Sequence, residues 1–166
     1  MGLHKKYKQL LRGFEPTLEP ITVLNDLSWR VGTDTPQMFV DGNVIPMSEH
    51  MIGILGRSIV HPLPLRLYFL NGNDYEVREY DMGRYLTGLE ILGAIKTFWD
   101  EVVSLNPNQL RQLLQYQKGY EPLKEKIQRI MNGSGETLTR KELPLRHVYY
   151  KRLVPYQDGY VVVYTM

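Results

Sequence analysis

Leu65-Arg-Leu-Tyr-Phe-Leu-Asn-Gly-Asn-Asp-Tyr-Glu-Val-Arg-Glu-Tyr80 and, shortly after it, Thr87-Gly-Leu-Glu-Ile-Leu-Gly-Ala-Ile-Lys-Thr-Phe-Trp-Asp-Glu-Val102 decide the fold class. In the first stretch Leu65, Leu67 and Phe69 alternate with Arg66, Tyr68 and Leu70. Asn71-Gly-Asn-Asp74 supplies residues that tolerate positive φ, and alternation resumes over 75–80, so two antiparallel strands are predicted. In the second stretch Thr87 and Glu90 stand three apart, the spacing at which hydroxyl and carboxylate satisfy the free backbone donors of a helix start. A helix over about 88–102 is predicted, with Leu89, Leu92, Ile95, Phe98, Trp99 and Val102 as an apolar stripe wide enough to lie on a sheet. The combination predicts an α+β fold: an antiparallel or mixed sheet of about five to six short strands, one main amphipathic helix packed on it, and two smaller helices.

Working outward, Asn106-Pro107 places a capping side chain before a proline at a first helical position, and Leu110, Leu113 and Leu114 face inward from the helix it starts. Glu121-Pro122 starts another, carrying Leu123, Ile127, Ile130 and Met131 and ending at Asn132-Gly133. Two last strands are predicted near 147–154 and 159–165. Upstream, Gly32, Pro36, Gly42, Pro46, Gly53, Gly56, Pro62 and Pro64 punctuate the chain, which leaves loops and short extended pieces near 27–31 and 37–40, with one helical turn within 47–59. Residues 1–13 form a basic arm in which Leu3, Tyr7, Leu10 and Leu11 share a helical face, and 14–166 a single α+β domain.

The chain has 166 residues, 43% apolar and 23% charged, which places it among ordinary globular domains. It has no cysteine, so disulfides, thiolate catalysis and cysteine-based zinc sites are excluded. No apolar run approaches the ~20 residues of a membrane helix, and the first residues lack the apolar stretch of a signal peptide. The expected location is intracellular, in the cytoplasm or a virion, and not secreted. The net charge of +2 hides a pattern: four cations and no acid in 1–12, eleven cations against sixteen acids in 13–139, and five against two in 140–166. Two basic ends on an acidic middle suit a polyanion, an acidic partner, or the chain's own middle segment.

Catalytic patterns are weak. His4, His50, His61 and His147 show no three- or four-residue pairing for a metal. Asp34-Thr-Pro36 has proline where an aspartic-protease turn needs glycine, and no second copy. Asp100 and Glu101, adjacent on a helix, point apart and cannot act as an acid–base pair. Gly53-Ile-Leu-Gly56 and Gly133-Ser-Gly135 lack the context of a phosphate-binding loop, and no serine sits in a nucleophile elbow. No cofactor is expected. Met1-Gly2 resembles an acylation start, but Lys6 stands where serine or threonine is wanted.

Leu27-Ser-Trp29, Ile59-Val-His-Pro-Leu-Pro64 leading into Leu65-Arg-Leu-Tyr-Phe69, Tyr85-Leu-Thr-Gly-Leu-Glu-Ile-Leu-Gly-Ala-Ile95, Leu145-Arg-His-Val-Tyr-Tyr150 and Asp158-Gly-Tyr-Val-Val-Val163 together resemble an uncharacterised small α+β domain family found in mushroom-forming fungi and large DNA viruses. The resemblance spans roughly 20–165, rests on order and spacing, and implies a mixed α+β fold with no catalytic residues.

The expected function is therefore a non-enzymatic structural or protein-interaction protein, in its viral form a virion- or capsid-associated accessory protein. Lys5, Lys6, Lys8 and Arg12 are the candidate contacts to a protein partner or a second copy, and the same arm can touch a membrane surface weakly. The alternative is a nucleic-acid binder using Arg146, Tyr149, Tyr150, Lys151 and Arg152 on the basic, tyrosine-rich C-terminal strands. An enzyme assembled only in the fold needs a deep pocket with several perturbed titratable groups.

Overall fold

The computed structural model describes residues 16–31, 37–40, 43–71, 73–116, 121–143 and 148–165. In chain order these form α1 (Glu19–Asn25), β1 (Leu27–Arg30), β2 (Gln37–Val40), β3 (Asn43–Pro46), α2 (Glu49–Leu55), β4 (Leu65–Asn71), β5 (Asp74–Tyr80), α3 (Gly88–Asp100), β6 (Val102–Val103), α4 (Pro107–Tyr116), α5 (Glu121–Met131), β7 (Leu138–Thr139), a 3-10 turn (Arg140–Glu142), β8 (Tyr149–Tyr156) and β9 (Gly159–Thr165). The basic arm lies outside the described residues.

The predicted hairpin is β4–β5, paired from Leu65 opposite Tyr80 to Asn71 opposite Asp74. The C-terminal hairpin β8–β9 inserts beside it, β9 running parallel to β4 and β8 antiparallel to β1. The mixed ladder β1-β8-β9-β4-β5 is extended at β1 by the β2–β3 hairpin, giving the order β3-β2-β1-β8-β9-β4-β5. β3 is an additional strand in a stretch where Gly42 and Pro46 predict loop, and it is held by a four-residue edge pairing with β2.

α1 lies where the proline-rich stretch predicts loop, and α2 falls within 47–59, where one helical turn is predicted, and runs for seven residues. α1 carries Pro20 in its first turn, where the missing N–H has no intrahelical acceptor to lose, and it buries Pro20, Val23 and Leu24. α2 is capped by Ser48, whose Oγ accepts from Met51 N at 3.2 Å, and runs through Gly53 before ending at Gly56. Propensity yields here to packing: Leu55 is fully buried.

α3 starts as its spacing requires. Glu90 N donates to Thr87 Oγ1 and Thr87 N to Glu90 Oε1, both at 3.1 Å. Its buried face is Ile91, Leu92, Ile95 and Phe98, so the stripe is turned from the expected one: Leu89 faces out, Ile91 takes its place, and the helix stops at Asp100 because Val102 enters β6. Gly88 lets α3 approach the other helices, since a Cβ there would touch Leu55 and Pro20. Helices and sheet enclose one core, in which Leu65, Leu67, Phe69, Trp29, Tyr150, Leu153 and Val162 meet the helical residues. A second, smaller cluster gathers Leu110, Leu123, Ile127 and Leu138 around α4, α5 and β7. α4 opens on a reciprocal pair, Gln109 N to Asn106 Oδ1 at 2.8 Å and Asn106 N to Gln109 Oε1 at 2.9 Å.

Register in β8 depends on a bulge. Tyr150 opposes Tyr164, but Arg152, not Lys151, opposes Val163. The extra residue resets the alternation, so Tyr150 and Leu153, three apart, both point into the core. Beyond the end of β1, Asn25 Oδ1 accepts from Leu153 N at 2.9 Å and takes over from the missing strand.

Gly159 begins β9 against β4, and a Cβ there would overlap the Arg66 carbonyl. Gly159→Ala is expected to cost roughly 3 kcal/mol, the upper end for forced overpacking, and Thr87→Ala about 1 kcal/mol, the worth of one cap. Urea denaturation of the two variants checks the order; equal losses would contradict the close approach at Gly159.

Candidate interaction surface

The pairing registers decide what each strand shows on the face away from the helices. Arg66, Tyr68 and Leu70 of β4 stand beside Glu79, Val77 and Tyr75 of β5, while Val161 and Val163 of β9 stand beside Val154 and Arg152 of β8. This face carries apolar side chains in the open: Leu70 is 62% exposed and Val77 43%, and Tyr75, Tyr149, Val154 and Tyr156 are also exposed. Tyr68, Tyr75 and Tyr156 form a mutual aromatic cluster, with Tyr68 and Tyr156 centroids 4.9 Å apart and nearly perpendicular. Its polar rim is Arg66, which pairs with Glu79 at 3.0 Å and with Asp158, whose carboxylate also accepts from the Tyr68 hydroxyl.

A cavity of about 340 Å³ opens at one end of the sheet, lined by Leu70, Tyr75, Trp99, Val148, Tyr164 and residues 161–163. Its described walls carry no carboxylate, imidazole or cation. Trp99 Nε1 donates to the Tyr164 hydroxyl at 2.7 Å, and burial pushes that hydroxyl's titration well above the ordinary tyrosine value.

On the helix face, a charge network ties β5 to the second cluster. Glu101 receives Arg78 in two bonds, Nε at 3.1 Å and Nη2 at 2.7 Å, and Arg140 Nη2 at 3.2 Å. Glu76 takes the same Arg140 nitrogen at 3.1 Å and Arg78 at 3.4 Å. The Arg78 hydrogen bond holds the Glu101 carboxyl below the usual range, against burial, with Arg140 adding to it. Asp100 and Glu101 act separately, as their spacing requires: Asp100 accepts from Lys141 Nζ at 2.7 Å.

Of the residues singled out in the sequence, Lys5, Lys6, Lys8, Arg12 and Arg146 lie outside the described residues. Tyr149, Lys151 and Arg152 are exposed on β8. Tyr150 is different. It is fully buried, its hydroxyl has no hydrogen-bond partner among the described residues, and burial pushes its titration far up. The bulge turns this ring into the core, so it is unavailable to stack on a base. Leu70, Tyr75 and Val77 belong to the second phase of the alternation in 65–80, which is apolar or aromatic at Tyr68, Leu70, Tyr75 and Val77 between Arg66 and Glu79, and that is the signal the sequence offers for this surface. Among the described residues there is no cluster of three or more His, Cys, Asp or Glu side chains that would hold a metal ion, and no helix long and apolar enough to cross a membrane.

Comparison with family models, with curated proteins and with solved structures finds no match to this chain. Surfaces and registers therefore carry the functional reading.

Glu101→Gln keeps the shape but removes the charge that two arginines share. It is expected to cost about 1–2 kcal/mol at pH 7, a charge-assisted bond discounted for partial exposure. Because the folded carboxyl titrates below its unfolded value near 4.3, this stabilisation is present above that pH and is lost as pH falls through the folded value. Urea midpoints of the wild type and the variant should converge in acid; a constant gap from pH 7 to pH 3 would contradict the pairing.

Proposed function

We propose that this chain works by protein association, non-enzymatically, through the face of its sheet that no helix covers among the described residues. The observation that supports the reading is the contiguous set Leu70, Tyr75 and Val77, continued by Val154 and Tyr156 and rimmed by Arg66, Glu79 and Asp158. Aromatic anchors with a polar rim are what a protein interface uses. A triple variant, Leu70→Asp, Val154→Asp and Tyr156→Ser, should lower the melt through loss of the Tyr156 ring on Tyr68 but keep a folded circular-dichroism spectrum at working temperature. Sedimentation of the chain over a range of concentrations, and capture of stoichiometric partners by the wild type, should both be weakened at least about tenfold in the variant. A wild type that neither self-associates nor retains a partner lost on the variant would overturn the reading.

Exposed Tyr149, Lys151 and Arg152 support a second reading, in which β8 meets nucleic acid. Affinity should then fall steeply as salt is added, since cations release counterions from phosphates. No binding of single- or double-stranded oligonucleotides at low salt would remove it.

A further inference from the structure

The two outer strands of the sheet are built differently. β3 is four residues long and ends in Pro46, the usual devices that blunt a sheet edge against another chain. β5 is seven residues long, contains neither proline nor glycine, and lies at the end of the strand order.

The direction of its peptide groups follows from the register. Asn71 opposes Asp74 with two positions between them, so this pair exchanges both backbone hydrogen bonds and the bonded pairs then alternate. Asp74, Glu76, Arg78 and Tyr80 therefore turn their N–H and C=O groups to β4. Tyr75, Val77 and Glu79 turn theirs outward. Among the described residues no backbone group meets these three N–H groups. Among the described residues the Val77 carbonyl accepts a 3.3 Å bond from the guanidinium of Arg78, which leaves its second lone pair.

We infer that β5 is the edge at which a second copy of this chain pairs antiparallel, about a two-fold axis at Val77; this rests on the protein-association reading above and names its partner. Charge selects the register. With the axis at Val77, Glu76 of one copy opposes Arg78 of the other, Tyr75 opposes Glu79, Asp74 opposes Tyr80, and all seven residues pair. An axis at Glu76 or Glu79 sets glutamate against glutamate, one at Arg78 sets arginine against arginine, and one at Tyr75 sets Asp74 against Glu76. Like charges directly opposite are unfavourable, so the alternation in Asp74-Tyr-Glu-Val-Arg-Glu-Tyr80 admits one two-fold register and rejects its neighbours. Val77 is outward in its hydrogen bonding, as a residue at the centre of a bonded pair must be. It is also exposed beside Leu70 and Tyr75, so pairing joins the apolar faces of the two copies into one continuous surface.

The absence of cysteine makes the test clean. Val77→Cys places a lone thiol on the axis, where bonded-pair Cα atoms lie ~5.5 Å apart, within disulfide reach. On mild oxidation it should cross-link at least about tenfold faster than Leu89→Cys, an exposed control on α3 away from both the edge and the sheet face. Val77→Pro removes only an outward N–H, and Val77→Lys sets like charges on the axis; both should sediment as monomers at concentrations where the wild type dimerises, with a folded circular-dichroism spectrum for Val77→Lys securing the result should Val77→Pro misfold. Cross-linking of Val77→Cys no faster than the control, or unchanged dimerisation of Val77→Lys, overturns the inference. If Val77→Lys still associates while the triple face variant does not, the edge fails and the face reading stands; if the wild type neither self-associates nor retains a partner, both fail.

Discussion

The Phe98 ring lies on the Phe69 ring, centroids 3.8 Å apart and planes within 8°. This stack is where helix α3 meets the sheet, and three other parts of the molecule converge on it. Trp99 meets Phe98 edge-on at 5.7 Å and reaches β9 through the Tyr164 hydroxyl. The Arg140 guanidinium sits 4.1 Å from the Phe98 centroid and Arg78 5.2 Å from it, within cation–π range and partly exposed to solvent. Arg140 also donates from Nε to the Phe98 carbonyl at 3.2 Å, close to the end of the helix. The smaller cluster around α4 and α5 is thus held to the main core by a cation resting on the main core's own aromatic. Glu101 and Glu76 are needed there because two arginines brought to one ring would otherwise repel each other.

Parts of this arrangement that depend on local periodicity were legible in the chain. The β4–β5 hairpin, the Thr87–Glu90 cap, the helix it opens, the Asn106 cap and the closing β8–β9 hairpin each carry their signal in one continuous stretch of chain. What was not legible depends on a partner distant in sequence. Pro20 reads as a breaker until it is seen to occupy a first turn whose neighbours Val23 and Leu24 are buried. Tyr150 sits among cations in the sequence and in the core of the structure, because a bulge beside Lys151 can be counted only against β9. The turned stripe of α3, with Ile91 in and Leu89 out, depends on how the helix sits on β4, which periodicity leaves free by one position.

The candidate surface was missed for a related reason. Alternation normally separates a buried phase from a polar one, and in 65–80 the second phase is Arg66, Tyr68, Leu70, Tyr75, Val77 and Glu79. Four of these six are apolar or aromatic. A strand with two apolar faces is expected between two layers, yet here only one face is covered by helices among the described residues.

The order of strands in space against their order in the chain carries a further consequence. β8 and β9, last among the described elements, occupy the middle of the sheet, between β1 and β4. Until they arrive, β1–β3 and β4–β5 are separate hairpins with no shared ladder, and Phe69 has no Val162 beside it. The parallel β4–β9 pair joins residues about ninety apart, so the slow closure of a long loop must wait until β9 has been made. A nascent chain would carry both inner edges unpaired until β8 and β9 were made, and would rely on company or speed to keep them apart from other chains.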